Sequence, residues 1–386
     1  MSRIDPECFP VADYGEKRVC AKCFEDDDLR LRIQAGVQAG HCDYCEEDRE
    51  ATALMGEIAE FIGARMSTFY GRAVEQLPYE SREGGYIGHH EDTGECLFGS
   101  IGLGIEAARH DALMQDVVDE IGDDAWCDYD WLALEIHESL MGAWRTFCEV
   151  VKAERRFFFH QIGEDGLHPD ERSIFGFLHE LARTIQSNKL IKTLPIGTQV
   201  YRARARTLPQ QYTLAAELGT PPARIATQSN RMNPPGIPMF YASDNLPLAQ
   251  AETRGANASI GEFLTLRPLR ILDLHDLDAV PGIFSECTRE RRQELIFLHD
   301  LSRRFAEPVP QNDRTNIDYI PTQIVTEFLR DYDFEGGKID GIKFTTSLNV
   351  AGSNMVLFAT QADSVDAAPP AAGVAAWFQL VGVTHI

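Results

Sequence analysis

The sequence lacks the features that would place the protein in a membrane or outside the cell. Its 386 residues contain no run of roughly 18 apolar side chains, the length that spans a bilayer as a helix. The opening segment MSRIDPECFP has no apolar core of a secretory signal peptide. We therefore expect a cytoplasmic protein without a membrane anchor, a setting in which disulfide bonds are rare.

Basic side chains are also scarce. Lys and Arg number 36 against 60 Asp and Glu, which gives a formal net charge of −24. A protein that binds duplex nucleic acid neutralises phosphates with a basic face, so nucleic acid is not an expected partner. A hydrophobic content of 44% is normal for a folded chain and excludes wholesale disorder. The length predicts about two domains.

The texture of the sequence changes near residue 190. The first half carries apolar residues at helical spacing, whereas the second half alternates strand-like pieces such as QVYRAR and GIKFTT with short helices, one of them capped by Asp244. We predict an α+β protein with a mostly helical N-terminal half and a β-sheet core with flanking helices in the C-terminal half. The predicted helices of the first half lie within 47–77, 105–121, 131–151 and 174–192, with a loop over 80–104. The predicted domains are 1–50, 51–193 and 194–386.

Four of the nine cysteines have the spacing of metal ligands. Cys20, Cys23, Cys42 and Cys45 form C-x2-C-x18-C-x2-C. Two such knuckles suit tetrahedral Zn²⁺ in a zinc ribbon, and four thiolates leave no open position, so the ion would be structural. The alternative is four free thiols. Acidic residues fill 25–28 between the knuckles, which favours a scaffold or protein-contact role over nucleic-acid binding.

A second constellation lies in the C-terminal half. Arg202 ends an apolar strand and Arg231 lies in a Pro/Gly loop, and the planar fork of each guanidinium matches phosphate oxygens. Tyr241 offers a flat face for a base or a nicotinamide ring, and Glu252 could stabilise an oxocarbenium-like centre. Together these groups suit cleavage of an N-glycosidic bond in a dinucleotide. The alternative is a structural ion pair between Arg202 and Glu252, with Tyr241 in the core.

These pieces, followed by DGIKFTTSLNVAGSNMVLF at 340–358, resemble in order the RES domain over 194–386. The resemblance implies a fold similar to ADP-ribosyltransferases and a toxin of a toxin–antitoxin pair that consumes, or transfers from, NAD⁺. The family serine falls on Thr346 by gapless counting and on Ser347 by side-chain identity. We favour Ser347, and Thr346 could supply the same hydroxyl. The other family positions fall on Arg202, Arg231, Tyr241 and Glu252.

The first half also resembles a known domain. Paired CxxC followed by W-x2-F-x3-V-K-x3-R-F-F-F at 144–159 is similar to the zinc-bearing domain that precedes RES domains in HEPN/RES proteins. Some HEPN domains are ribonucleases with an Arg-x4–6-His motif, and Arg155 to His160 fits it. The alternative is that the three Phe side chains anchor a core, with Arg155 and His160 at its edges.

We therefore expect an enzyme that cleaves the nicotinamide–ribose bond of NAD⁺, as a glycohydrolase, a phosphorylase or an ADP-ribosyltransferase. Arg202 and Arg231 would hold the diphosphate, with Arg204 and Arg206 close by in a local positive pocket. Water, phosphate and a protein side chain remain open as acceptors. A ribonuclease acting through Arg155 and His160, and a non-catalytic zinc-ribbon interaction protein, are the rival functions. An antitoxin on a separate chain and self-association through the helical half are the expected protein contacts.

Overall fold

A computed structural model describes most of the chain, and its contacts divide the protein into two compact units. The first unit comprises Met1–Leu134 and Val280–Arg292, and the second comprises Glu135–Ala279 and Gln293–Ile386. In the part of the chain that the structure describes, every helix is too short or too polar to cross a membrane. The predicted domain boundaries stay predictions. The described residues are 17–36, 38–82, 84–157, 173–307, 315–348, 350–366 and 376–386.

The first unit combines short strands with helices. Its described strands form the ribbon sheet β1-β3-β2, the sheet β4-β8-β7 and the hairpin β5-β6. Its core contains the apolar face of α2, with Ile58, Ile62 and Met66 all buried, together with Leu113 of α4. The elements are β1 Arg18–Cys20, α1 Asp27–Ala35, β2 Gln38–Cys42, β3 Glu47–Leu54, α2 Met55–Phe69, β4 Tyr70–Arg72, α3 Ala73–Gln76, β5 Tyr79–Glu80, β6 Gly85–Tyr86, β7 Glu91–Asp92, α4 His110–Ile121 and β8 Ala125–Asp128.

The first half contains more strand than its sequence predicts. The predicted helix over 47–77 is wrong at both ends, because β3 occupies Glu47–Leu54 and α2 ends at Phe69. β3 pairs with β1 on one side and with β2 on the other, so the ribbon sheet satisfies its backbone groups. The segment 80–104, predicted as loop, contains short strands and a π-helical turn, Glu95–Ser100. The 105–121 helix begins only at His110.

The second unit contains the sheet predicted from the alternating segments, and the α+β class is confirmed. Among the described residues it has nine strands in the order β16-β17-β12-β10-β11-β15-β14-β13-β9. Its elements are α5 Ile136–Glu149, α6 Ile174–Ser187, β9 Ile191–Leu194, β10 Gln199–Ala205, α7 Ala215–Leu218, β11 Phe240–Ser243, α8 Leu246–Ala251, β12 Ala258–Thr265, β13 Leu269–Asp273, most of α9 Arg289–Ala306, α10 Thr315–Asp318, α11 Ile320–Asp331, β14 Gly341–Thr345, β15 Ser353–Leu357, β16 Ser364–Val365 and β17 Phe378–His385.

Two apolar cores lie against this sheet. The larger core joins α5, α6, α9 and α11 to inward side chains of β13, β14 and β15 such as Ile342 and Val356. The smaller core is formed by Val200, Phe240 and Phe378 with their neighbours. Alternation along each strand explains the division, because successive side chains point to opposite faces. The helices 136–149 and 174–187 therefore share a core with the sheet that follows them in sequence.

The corner between β11 and β15 is held by side-chain caps. Asn245, not the predicted Asp244, caps α8 by accepting from the Leu248 amide at 2.8 Å. Asp244 instead accepts from the amide and hydroxyl of Ser353, at 2.8 and 2.7 Å. Gly352 precedes that strand with φ +132°, and a Cβ there would lie 2.6 Å from Asp244 Oδ1. The Asp244 prediction is wrong because its carboxylate ties two strands together.

Phe240 tests the smaller core. Its ring stacks on Phe378 with centroids 4.5 Å apart and meets Phe263 edge-on at 5.2 Å. Phe240→Ala should lower the free energy of unfolding of the second unit by about 3–5 kcal/mol through lost burial and a residual cavity. The matched variant Phe157→Ala, at a side chain that is 87% exposed, should change it by less than about 0.5 kcal/mol. Urea denaturation followed by tryptophan fluorescence measures both, and equal effects would contradict the described packing.

Candidate functional site

One cavity in the second unit contains the predicted C-terminal constellation. Its volume is about 350 Å³, and it lies where β10, β11 and α8 meet the end of β14 and the start of β15. The fold brings together predicted residues that are far apart in sequence, since residues 202 and 347, which are 145 positions apart, line the same space. The predicted residues that line it are Arg202, Arg231, Tyr241, Glu252, Thr346 and Ser347.

Arg202 spans a gap in the sheet. β10 and β11 are paired at a single position, Tyr201 with Ser243. Beyond it the Arg202 guanidinium donates through Nη1 to the Tyr241 carbonyl at 2.8 Å and through Nε to the Gly219 carbonyl at 3.2 Å. Burial lowers the pKa of Arg202 to about 10, so the group stays cationic at neutral pH. Two of its five N–H donors hold the scaffold, and three remain for a ligand.

Arg231 is held in a comparable way by backbone carbonyls. Its Nη1 donates to the carbonyls of Phe305 and of Glu307, the latter at 2.7 Å. Burial lowers the pKa of Arg231 as well. Among the described residues, no carboxylate lies within 4 Å of either Arg202 or Arg231, so the structural ion pair between Arg202 and Glu252 is absent. Carbonyl dipoles contact both cations, and the carboxylates of Glu252 and Glu307 act on Arg231 from a longer distance.

Tyr241 has its hydroxyl fixed inside the protein. It donates to Asn233 Oδ1 at 2.7 Å and accepts from the Met232 amide at 3.1 Å. Burial raises the pKa of Tyr241, so the phenol stays protonated. With its hydroxyl engaged, the residue can offer a ligand only the ring, which suits stacking better than proton transfer.

Glu252 follows the last turn of α8, and its side chain is exposed at the cavity. One carboxylate oxygen, Oε1, accepts from Asn354 Nδ2 at 2.6 Å and from Thr346 Oγ1 at 3.3 Å. Ser347 lines the same cavity but is more exposed than Thr346. Thr346 is thus the hydroxyl that contacts the carboxylate, which favours the gapless count over side-chain identity.

Two expected cations lie elsewhere, and one that sequence reasoning missed lines the cavity. Arg204 stacks over Tyr212 at 4.1 Å and donates to a backbone carbonyl of α7. Arg206 donates to the carbonyls of Gln210 and Ile386. Neither is among the residues that line the cavity. Arg254 does line it, and its φ of +52° turns the chain sharply just after Glu252. Such strain in a non-glycine residue often accompanies a functional site.

The four predicted metal ligands come together in the first unit. Their sulfur atoms all lie within 4.8 Å of one another, and the measured pairs are 3.3 to 3.8 Å apart. A tetrahedral ion with metal–sulfur bonds of about 2.3 Å requires sulfur edges of about 3.8 Å, whereas a disulfide bond is about 2.05 Å. The four thiols are free. The cluster therefore fits a closed, structural metal site.

The ribbon sheet positions these ligands. Cys20 ends β1 and Cys23 ends the 3₁₀ turn that follows, while Cys42 ends β2 and Cys45 lies in the turn before β3. The Cys45 amide donates to Cys42 Sγ at 3.4 Å, the hydrogen bond typical of a CxxC knuckle. Hydrogen bonds from the thiols of Cys23 and Cys42 lower the pKa of Cys20, and the hydrogen bond with Cys20 raises the pKa of Cys23, so the sulfur atoms of the cluster are strongly coupled.

The ribonuclease motif lies only partly within the described residues. Arg155 follows the π-helical turn Val150–Glu154 and donates to Glu154 at 3.0 Å. His160, its predicted partner, lies outside the described residues. A ribonuclease site at Arg155 and His160 therefore stays a prediction.

Comparisons with protein families agree with the two halves of the chain. The model of HEPN/RES N-terminal domain 1 matches residues 36–165, and the model of the RES domain matches residues 199–379. A search of the curated proteins and a search of the solved structures each returned no match. The class is thus that of proteins with a RES domain, a family associated with NAD-related toxin activity. More narrowly, this chain belongs to the RES-domain proteins that carry a HEPN/RES N-terminal domain, so both predicted resemblances are confirmed.

The cysteine cluster makes a direct prediction about metal content. Purified protein should contain one metal ion per chain by plasma mass spectrometry, since four thiolates complete one tetrahedral shell. Cys23→Ser should lose most of it and lower the melting temperature of the first unit, because the ribbon sheet is built on the ligands. Cys287→Ser, at a cysteine outside the cluster, should keep the full equivalent. A wild-type protein that has the same melting temperature without metal as with it would contradict a structural site.

Proposed function

We propose that the protein is an NAD⁺-consuming enzyme of the toxin type that cleaves the nicotinamide–ribose bond. The observation that carries the proposal is one cavity that brings two guanidinium groups without carboxylate partners among the described residues, Arg202 and Arg231, to the same space as Glu252. The cations suit a diphosphate and the carboxylate suits a developing positive charge. The match to the RES family supports an NAD-related substrate.

In this proposal each residue contacts a different part of the dinucleotide. The remaining donors of Arg202 and Arg231 bind the diphosphate oxygens, as planar forks bind phosphate. The ring of Tyr241 stacks on the nicotinamide or packs against its ribose. Glu252 faces the reacting carbon through its second oxygen, Oε2, because Oε1 already accepts two protein hydrogen bonds. Thr346 or Ser347 hydrogen-bonds the ribose or the carboxamide.

The chemistry requires little proton transfer. The ribose–nitrogen bond breaks with its electron pair going to nicotinamide, which leaves as a neutral molecule. The oxygen of the acceptor forms the new bond to the ribose carbon and releases its proton to Glu252 or to water. Positioning and electrostatic stabilisation of the oxocarbenium-like state would supply most of the rate. Water, phosphate or a protein side chain can each act as the acceptor.

The first unit supplies stability in this proposal. The four cysteines would hold Zn²⁺, since thiolate sets with tetrahedral geometry select this ion. The acidic run 25–28, which ends in the first turn of α1, lies between the two knuckles and would face protein partners rather than nucleic acid. We propose a cytoplasmic toxin, restrained by an antitoxin on a separate chain, with self-association as a further role for the helical segments.

Glu252→Gln tests the central role. The substitution keeps the shape but removes the negative charge that would stabilise the oxocarbenium-like state, so kcat for nicotinamide release should fall by about 100- to 1000-fold. Chromatographic assay of nicotinamide from NAD⁺ measures the effect. Glu262→Gln on β12, outside the cavity, is the matched control and should retain wild-type turnover. Wild-type release by the Glu252→Gln protein would contradict the assignment.

The acceptor can be identified by mass spectrometry of the products. NAD⁺ incubated with the protein yields free ADP-ribose if water accepts, a phosphorylated ADP-ribose if phosphate accepts, and a protein heavier by one ADP-ribosyl group if a side chain accepts. Each reaction should be abolished in the Arg202→Leu variant, since a leucine cannot bind the diphosphate.

Zn²⁺ should be the ion recovered with the protein, and recovery of iron in its place would contradict the zinc assignment.

A further inference from the structure

Behind Glu252 lies a short chain of hydrogen bonds that runs from Ser243 through Asn354 to the carboxylate. Ser243 Oγ donates to Asn354 Oδ1 at 2.8 Å, and Asn354 Nδ2 donates to Glu252 Oε1 at 2.6 Å. We propose that Asn354 is the positioning residue for the reactive carboxylate, and that Ser243 sets the orientation of its amide. This inference rests on the proposed function of Glu252 and adds two residues to it.

The sheet fixes the geometry of this chain. Ser243 and Asn354 are direct partners in the antiparallel pairing of β11 with β15. Their side chains therefore leave the sheet side by side on the same face. At the neighbouring position, Asp244 accepts hydrogen bonds from both the amide and the hydroxyl of Ser353. The start of β15 is thus held in register, and Asn354 has little freedom to move.

The carboxylate and the serine together hold the amide in one orientation. An asparagine can present either its oxygen or its NH₂ group, and only the NH₂ group can donate to a carboxylate. Ser243 is buried, and its hydroxyl donates to Oδ1, which leaves Nδ2 toward Glu252. The opposite orientation would set the amide oxygen against a negative charge.

The chain also determines which carboxylate oxygen is free. Asn354 and Thr346 both donate to Oε1 of Glu252, so the carboxylate is anchored on one side. Glu252 is exposed and lies beyond the end of a short helix, and without these donors its long side chain would sample several rotamers. Anchoring Oε1 keeps Oε2 directed at the substrate before it arrives. Such preorganisation should act on kcat more than on substrate binding.

The first experiment separates positioning from binding. Asn354→Leu keeps the number and branching of the side-chain heavy atoms and removes the donor, so kcat for nicotinamide release should fall by about 100-fold. KM should stay within about threefold, because Asn354 contacts Glu252 rather than the diphosphate. Ser243→Ala should lower kcat by about tenfold, since the amide can then rotate. The double variant should be no worse than Asn354→Leu alone, because Ser243 acts only through Asn354.

The second experiment uses pH. In Asn354→Asp the introduced carboxyl lies against Glu252, and two such groups share one proton with a raised apparent pKa. Below that pKa the shared proton restores a hydrogen bond to Glu252, and above it the two charges repel. Turnover relative to wild type should therefore rise as the pH falls, whereas the deficit of Asn354→Leu should not change with pH. The ionisable groups around this site are Arg202, Arg231, Arg254, Tyr201, Tyr241, His275 and Tyr319.

Asn257→Asp is the matched control, at an exposed asparagine outside the cavity, and should match wild type at every pH. Two results would overturn the positioning role if wild type releases nicotinamide. One is that Asn354→Leu releases it with the wild-type kcat, and the other is that its KM rises by as large a factor as its kcat falls. If wild type releases none, the proposed function fails instead. Crystal structures then decide the inference independently, since Glu252 should leave its position in Asn354→Leu, and an unmoved carboxylate would overturn it.

Discussion

The gap between β10 and β11 is the constraint on which the candidate site depends. Two adjacent strands that share a single register position leave carbonyl groups without a ladder partner, and a buried carbonyl without a donor is costly. The Arg202 guanidinium supplies that donor and bridges the gap. Because this side chain takes the place of a backbone hydrogen bond between the strands, a cation lies at the cavity. In the proposed function, the integrity of the sheet and the binding of the diphosphate use one residue, which ties the stability of the fold to its chemistry.

The electrostatic setting follows from this arrangement. A chain with a net charge of −24 repels an anion at long range, but surface charges are screened over about 8 Å at physiological ionic strength. Inside the cavity, the nearby groups decide the local charge, and the described residues that line it include the cations Arg202, Arg231 and Arg254 and one carboxylate, Glu252. Carbonyl dipoles hold Arg202 and Arg231 in place without cancelling their charge. The cavity is thus locally positive within an acidic protein.

Much of this could be predicted from the sequence, because strand alternation and CxxC spacing are local signals. The strands of the second unit other than β9 and β16, and the four-cysteine cluster, needed no tertiary information. The cavity residues Arg202, Arg231, Tyr241 and Glu252 were predicted together through the resemblance to the RES domain. β3 was missed because its pairing with β1 and β2 overrides its helical periodicity. Arg254 belongs to no motif, and Asn354 lies in the segment 340–358 that carries the resemblance without a role that its position in the sequence predicts. Only the pairing of β11 with β15 shows that Asn354 reaches Glu252.

A crystal structure of the Glu252→Gln protein with NAD⁺ tests the central claim most directly, because the slowed variant should retain the intact dinucleotide. The account predicts diphosphate oxygens within about 3.2 Å of the free nitrogen atoms of Arg202 and Arg231. It also predicts the nicotinamide ribose beside residue 252 and the ring against Tyr241. NAD⁺ bound elsewhere on the protein, or a cavity that stays empty at saturating NAD⁺, would contradict it.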